Sequence, residues 1–431
     1  MFAGAFMMGA KDRLLPPSVP FRFFATAVLM HVAGWAVLLA GAGDLSGYMG
    51  GLGLPLAGLH LITLGVLAMS GMGAAFQMLP VATRRQLGPV WACRLSWWLF
   101  TPGVVVLSLG FATAWTWALH GGATLAVAGL ALFAFLVGRN LMQVSDLPGV
   151  TRHVWLAVVS LVLLAGLGLL LVVDLDIGVL PDRAAVAATH ALLAGYGFMG
   201  MLTMGFSMVL IPMFVLSQGV PDRVGTRSAA LSAAALLLGA GGSLAGSGAA
   251  AALGGLVGLA AVAVHLKAQA AVLKGRMRKR LESFFRLVKG AWVVLPLSLA
   301  AGIALALGLA PDVTAPLWGL LLVLGWLLSF ATGILQRIMP FLASMHSGAN
   351  GGKPVLLSHL VWETPLTLHV AGHAGGVALL AVGLVLHSPL ILTAGAVLGL
   401  AGALSFALFA LVMTRRYQAY ENTKNKGTPP E

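Results

Sequence analysis

Residues 190–212 read "HALLAGYGFMGMLTMGFSMVLIP". The stretch is apolar almost throughout, yet it opens on His190 and closes on Pro212. Crossing a bilayer takes about 20 apolar residues, and in hydrocarbon only a helix satisfies its own backbone amides, so the stretch reads as a transmembrane helix. An imidazole within such a span is costly enough to be a functional hypothesis by default.

Working outward, the whole chain repeats this composition: 59% of its 431 residues are hydrophobic and 9% are charged. Twelve runs are long enough to span, approximately 22–42, 54–79, 91–118, 122–138, 154–173, 187–214, 228–246, 249–270, 290–309, 316–340, 357–385 and 389–413. The expected fold is all-α, a polytopic membrane protein forming a single transmembrane domain over 1–431, with a polar, disordered tail at 414–431. The first span is read as retained rather than cleaved.

Charge supplies an independent check. With twelve spans, every one of the 25 Lys and Arg except Arg183 falls on one side or in an adjoining helix end, while Asp44, Asp174, Asp176, Asp182 and Asp312 lie opposite. The positive-inside rule then places both termini in the cytoplasm of a cell whose inner membrane holds the protein. The formal net charge of +13 is therefore topological and implies no nucleic acid. The densest basic run, "KGRMRKRLESFFRLVK" at 274–289, would face anionic headgroups of the lipid bilayer. A single cysteine, Cys93, excludes an internal disulfide, a cysteine-built iron–sulfur or zinc site and covalent haem attachment.

The opening stretch has two relatives within the chain. Aligned on their prolines, "HLITLGVLAMSGMGAAFQMLP" (60–80), residues 190–212 and "WGLLLVLGWLLSFATGILQRIMP" (318–340) share glycines fifteen residues before the proline, at Gly65, Gly197 and Gly325, and seven before it, at Gly73, Gly205 and Gly333. Glycines eight apart fall near one helix face and mark where a neighbour presses close. The prolines are expected to end or kink each helix at the membrane surface. Copies about 130 residues apart make three like-oriented units of four helices, 22–138, 154–270 and 290–413.

Twelve helices in three such quartets, with cytoplasmic termini, resemble the main subunit of the haem–copper oxidases, and the resemblance covers nearly the whole chain as architecture. It implies histidines near the outer face that hold haem and copper; His60 and His190 match the family's second and sixth helices by repeat phase and depth. The chain departs from the family pattern in the tenth span, where Trp318 stands in the place of His190, and in the seventh, which lacks a histidine pair. A complete oxygen-reducing centre is therefore not expected. The chain is also similar in size and helix number to the NnrS-type membrane proteins, which bind haem and copper and are linked to nitric oxide stress.

The remaining intramembrane polar residues are few. His31 lies mid-span in helix 1, and "HVAGH" puts His369 and His373 four apart on one face of helix 11. Neutral imidazole is a good iron ligand, and His60 with His190 meets the depth condition for clamping one haem, with His373 and His31 next in order. The pair His369 and His373 suits two adjacent haems, or a haem and a copper. Glu363, the only carboxylate in a predicted span, is either a proton relay or a first-turn residue that complements the helix dipole. His120, His153, His265, His346, His359 and His387 are assigned to interfaces or loops.

Together with the resemblance, these residues imply a haem b protein, with one or two haems and copper possible, acting in electron transfer or in respiratory or nitric oxide chemistry with a cytochrome, a quinol or another respiratory subunit. The alternatives are a transporter or metal permease using the same histidines, and a membrane scaffold without cofactors.

Overall fold

A computed structural model describes residues 14–348 and 353–425. All regular structure among them is helical, and twelve helices are long and apolar enough to cross a membrane. They are α1 (Pro20–Ala40), α2 (Leu54–Thr83), α3 (Val90–Thr113), α4 (Thr116–Leu141), α5 (Pro148–Ile177), α6 (Arg183–Val215), α7 (Asp222–Leu244), α8 (Gly248–Lys274), α9 (Phe285–Ala306), α10 (Pro311–Ser347), α11 (Glu363–Val385) and α12 (Pro389–Lys424). The chain is a polytopic α-helical membrane protein. The face on which α1 begins and α12 ends is called here the basic face.

Burial divides the helices into two groups. The stretches of α2, α6 and α10 are the most buried of the twelve, and the middle of α10 packs against the middles of α2 and α6. The other nine expose large apolar side chains such as Leu29, Leu237 and Leu390, as helices bathed in lipid do. Around the outside the closest pairings are α3 with α4, α7 with α8 and α11 with α12. Small residues explain that closeness: a Cβ on Gly103 would strike the backbone of Ala126, one on Gly254 the backbone of Gly239, and one on Gly376 would lie 2.8 Å from the Gly399 amide nitrogen.

The repeat glycines all meet the helix that precedes their own. A Cβ would sit 2.8 Å from Met30 Cβ at Gly65 and 2.7 Å from Phe23 Cβ at Gly73. It would sit 2.7 Å from Ser160 Cβ at Gly197 and 3.0 Å from His153 Cβ at Gly205. At Gly325 and Gly333 it would meet Val294 Cγ1 at 2.7 Å and Leu287 Cβ at 3.1 Å. In each case the two contacted residues are seven apart, two helical turns.

The same three helices also carry π-helical turns, over Leu61–Ala68, Leu193–Gly200 and Leu320–Leu328. Each segment ends twelve residues before its proline. A π-turn loosens the ladder and rotates the residues that precede it, and such turns concentrate at functional sites. His60 and His190 stand immediately and three residues ahead of two of them.

Two expectations are corrected. Pro80, Pro212 and Pro340 do not end their helices, which run on to Thr83, Val215 and Ser347. Of the two expected outcomes only ending is excluded: an interior proline loses one backbone hydrogen bond and crowds the carbonyl four residues back, and here the packed helix continues despite that cost. The tail is helical through Asn425, with residues 426–431 outside the described set. It is pinned by packing: Tyr417 stacks on Phe21, the Tyr420 hydroxyl donates to the Lys353 carbonyl at 2.6 Å, and Lys424 Nζ donates to the Ser347 carbonyl at 2.8 Å.

Candidate metal centre

Helices α1 and α11 bring three histidines together, and α10 supplies the side chains that hold two of them. One ring nitrogen from each of His31, His369 and His373 lies within 4.8 Å of the others. All three residues are at most 1% exposed, and the ring centroids of His31 and His369 are 5.6 Å apart. His369 and His373 share a face because they are four residues apart on α11, and Phe406 of α12 stacks on His369 at 4.9 Å. Among the described residues no ion pair or hydrogen bond joins these rings to a carboxylate.

His369 and His373 are each held by one nitrogen and leave the other open, while His31 has its lone pair on the nitrogen that meets Trp35. His373 Nε2 meets Ser329 Oγ at 2.8 Å, and that hydroxyl also donates to the Leu324 carbonyl, so Nε2 carries the proton and Nδ1 the lone pair. His369 Nδ1 lies 2.8 Å from the Gln336 amide nitrogen, while the amide oxygen has no partner. Turning that amide over, an isosteric change, makes Nδ1–H the donor and frees Nε2 as a ligand. His31 Nε2 accepts from Trp35 Nε1 at 3.2 Å. His31 Nδ1, His369 Nε2 and His373 Nδ1 are buried without partners. His31 Nδ1 then carries the proton, so the donor set is His369 Nε2, His373 Nδ1 and His31 Nε2, the last in competition with the indole N–H; converging imidazoles, each oriented by a second group, are the usual plan of a metal centre. The donor set fits copper, and also zinc or iron.

His60 and His190 stand apart from the triad, toward the opposite face, near the starts of α2 and α6. His60 Nδ1 donates to the Leu56 carbonyl at 3.0 Å and His190 Nδ1 to the Leu164 carbonyl at 2.9 Å. Since a carbonyl only accepts, both rings keep Nε2 as a free lone pair, which suits axial ligation of an iron. The His60 ring packs on Phe111 at 4.5 Å, and a Cβ on Gly168 would lie 3.1 Å from His190 Cε1. His31 and His373 join His369 rather than this pair.

Glu363 is exposed at the first turn of α11, where it accepts from Ser283 Oγ at 2.8 Å. It lines a cavity of about 190 Å³ at the basic face with Glu282, Gln336 and Arg337. Gln336 is the link between that cavity and His369. Trp318, in the repeat position of His190, donates to the Tyr196 hydroxyl at 3.2 Å, which donates onward to Ser298 Oγ at 3.0 Å.

Two histidines assigned to the membrane surface from sequence are instead buried, His153 at 0% and His265 at 2%. Helix α5 begins six residues before its apolar run, an extension that takes in His153, whereas His265 falls within the expected run 249–270 and is enclosed by its neighbours. His153 sits five residues after Pro148, close to a basic stretch, and no local signal distinguishes it from an interfacial residue.

No family model matches the chain, and no curated protein matches it. Fold and site together define a polytopic membrane protein with a buried three-histidine cluster.

Proposed function

We propose that this chain is an integral membrane metalloprotein that holds copper at His31, His369 and His373 and a b-type haem between His60 and His190, and that it serves electron transfer in respiratory or nitric oxide chemistry. The convergence of three imidazole nitrogens within 4.8 Å carries the reading. Three neutral ligands leave the site with the charge of its ion, and desolvation cost rises as the square of that charge. Monovalent copper is thus the ion that this medium penalises least.

The recurrent glycine contacts and π-turns support three tandem quartets, the architecture of the haem–copper oxidase main subunit. The distribution of Lys and Arg supports cytoplasmic termini in an inner membrane. Haem iron and copper would supply the one-electron chemistry; the chain orients the ligands, excludes water and sets a low-dielectric surrounding. A cytochrome, a quinol or another respiratory subunit is the expected electron partner.

The test is the absorption spectrum and metal content of full-length protein purified from haem-replete, copper-replete cells. A dithionite-sensitive b-type spectrum with bound copper is expected. Colourless, metal-free protein would overturn the reading in favour of a scaffold, and copper that exchanges freely without haem would favour a permease.

A further inference from the structure

Helices α5 to α8 enclose a second group of polar side chains that neither the triad nor the His60–His190 pair uses. His153 of α5, Ser207 of α6, Ser228 of α7, and His265 and Gln269 of α8 are each at most 2% exposed. His153 Nδ1 donates to the Gly149 carbonyl at 2.7 Å, so its lone pair is on Nε2, where Ser228 Oγ approaches at a long 3.3 Å. Ser207 Oγ donates to the Met204 carbonyl at 2.8 Å and is approached by His265 Nε2 at 3.3 Å and by Gln269 Nε2 at 3.1 Å. The hydroxyl proton being committed, His265 Nε2 is the donor and the His265 lone pair is on Nδ1. That nitrogen and Gln269 Oε1 are buried without partners. Both rings flank one stretch of α6: a Cβ on Gly205 would lie 3.0 Å from His153 Cβ, and Ser207, two residues on, meets His265.

A cavity of about 400 Å³ leads toward this group. It runs between α6, α7, α8, α9 and α10, from Asp182 and Ser247 near the opposite face inward to Met204, Ser232 and Ala261. Those three innermost residues lie three or four positions from Ser207, Ser228 and His265 on their own helices, which is one turn along the same face. The thioethers of Met201 and Met204 line the passage, and Ser232, 4% exposed, has no hydrogen bond to protein. Oriented imidazole lone pairs about one helical turn beyond a passage that carries two methionines match the preferences of a soft monovalent cation, and two neutral imidazoles suffice to coordinate cuprous copper.

We propose that His153 Nε2 and His265 Nδ1 form a second metal site, for a cuprous ion that enters from the opposite face past Met201 and Met204, with Gln269 Oε1 as a further oxygen donor. The site extends the copper-handling part of the proposed function, but its ligands are distinct from the triad, so the two stand or fall separately.

The experiment is titration of metal-stripped full-length protein in nanodiscs with Cu(I) against a chromophoric Cu(I) chelator, with X-ray absorption on the loaded protein. Two equivalents are expected in the wild type, with the edge feature of low-coordinate Cu(I). His265→Leu and Gln269→Leu with His153→Gln should each remove one equivalent, and His373→Leu should remove the other. Gly239 lines the cavity and a Cβ there meets nothing within 4 Å, so the side chain of Gly239→Leu starts into open space and should slow loading at least tenfold at unchanged stoichiometry. Wild-type stoichiometry unchanged in monodisperse His265→Leu overturns this site; stoichiometry unchanged in His373→Leu overturns the triad and leaves this site standing.

Discussion

Gly205 of α6 packs against His153 of α5 so closely that a Cβ on the glycine would lie 3.0 Å from His153 Cβ. The equivalent glycines, Gly73 and Gly333, meet Phe23 and Leu287 in the same way. One packing solution therefore recurs three times with three different side chains in the socket, and only in the second does it bury an imidazole. The small residue sets the interhelical distance, and the chemistry is decided by what the neighbour presents to it.

Enlarging these contacts should be felt where the opposing atoms are backbone. Gly122→Val drives its side chain into the Leu107 backbone, whereas Gly121→Val meets open space. Overpacking of this kind costs about 1–3 kcal/mol or more, so thermal unfolding in detergent should fall by several degrees for the first variant and stay near wild type for the second.

Around the triad, two substitutions should act with opposite sign. Gln336→Leu removes the group that orients His369 and should weaken Cu(I) binding by about 10–100-fold. Trp35→Phe removes the indole that competes for the His31 lone pair and should tighten binding by roughly 2–10-fold, the worth of one net hydrogen bond of about 0.5–1.5 kcal/mol. Chelator competition on both proteins gives the two affinities; weakening in both would show that Trp35 positions His31 instead.

For the other pair, His60→Ala or His190→Ala should abolish the b-type absorption of purified protein, while His31→Ala should leave it. Haem retained at wild-type level in both single variants would exclude the pair as its ligands. Gly168→Leu, which fills the space beside the His190 ring, should lower haem occupancy without removing a ligand.

Arg337 is 9% exposed and pairs with Glu282 at 3.1 Å, and Glu282 also pairs with Arg278. Glu282→Ala leaves a buried guanidinium without its carboxylate and should cost about 3–5 kcal/mol. Arg337→Met should cost less, since the carboxylate keeps Arg278 and the methionine fills the same space. Melting temperatures of the two variants measured side by side test the order.

Orientation is open to direct labelling. Cys93 is buried and silent, so Leu309→Cys reports the opposite face and Gly219→Cys the basic face. With cytoplasmic termini, an impermeant maleimide added to spheroplasts should modify the first and spare the second; the reverse pattern would invert the topology.

Much of the helical frame was legible in the sequence, because the length of an apolar run is a local quantity read directly against bilayer thickness. The twelve helices overlap the twelve expected spans, and α4 and α10 differ mainly by running farther past the apolar stretch. The site was legible only as a set of residues. His31, His60, His190, His369 and His373 stand out in the sequence as intramembrane imidazoles, but nothing in it shows that His31 meets His369 and His373, or that His153 and His265 are enclosed. Depth along a helix follows from counting residues. The azimuth of each ring and the neighbour it faces do not, because π-turns and glycine contacts rotate and displace one helix against another.

From the amino acids alone came the membrane class, the number of crossings, the side on which the cations gather and the roster of costly imidazoles. Each follows from what hydrocarbon permits a single segment to do. The meeting of α1 with α11 at His31 and His369, the orphaned nitrogens between them, and the enclosure of His153 with His265 belong to the tertiary structure. They depend on how twelve helices, each stable by its own backbone, settle their contacts, and that choice is made by close packing between segments far apart in the chain.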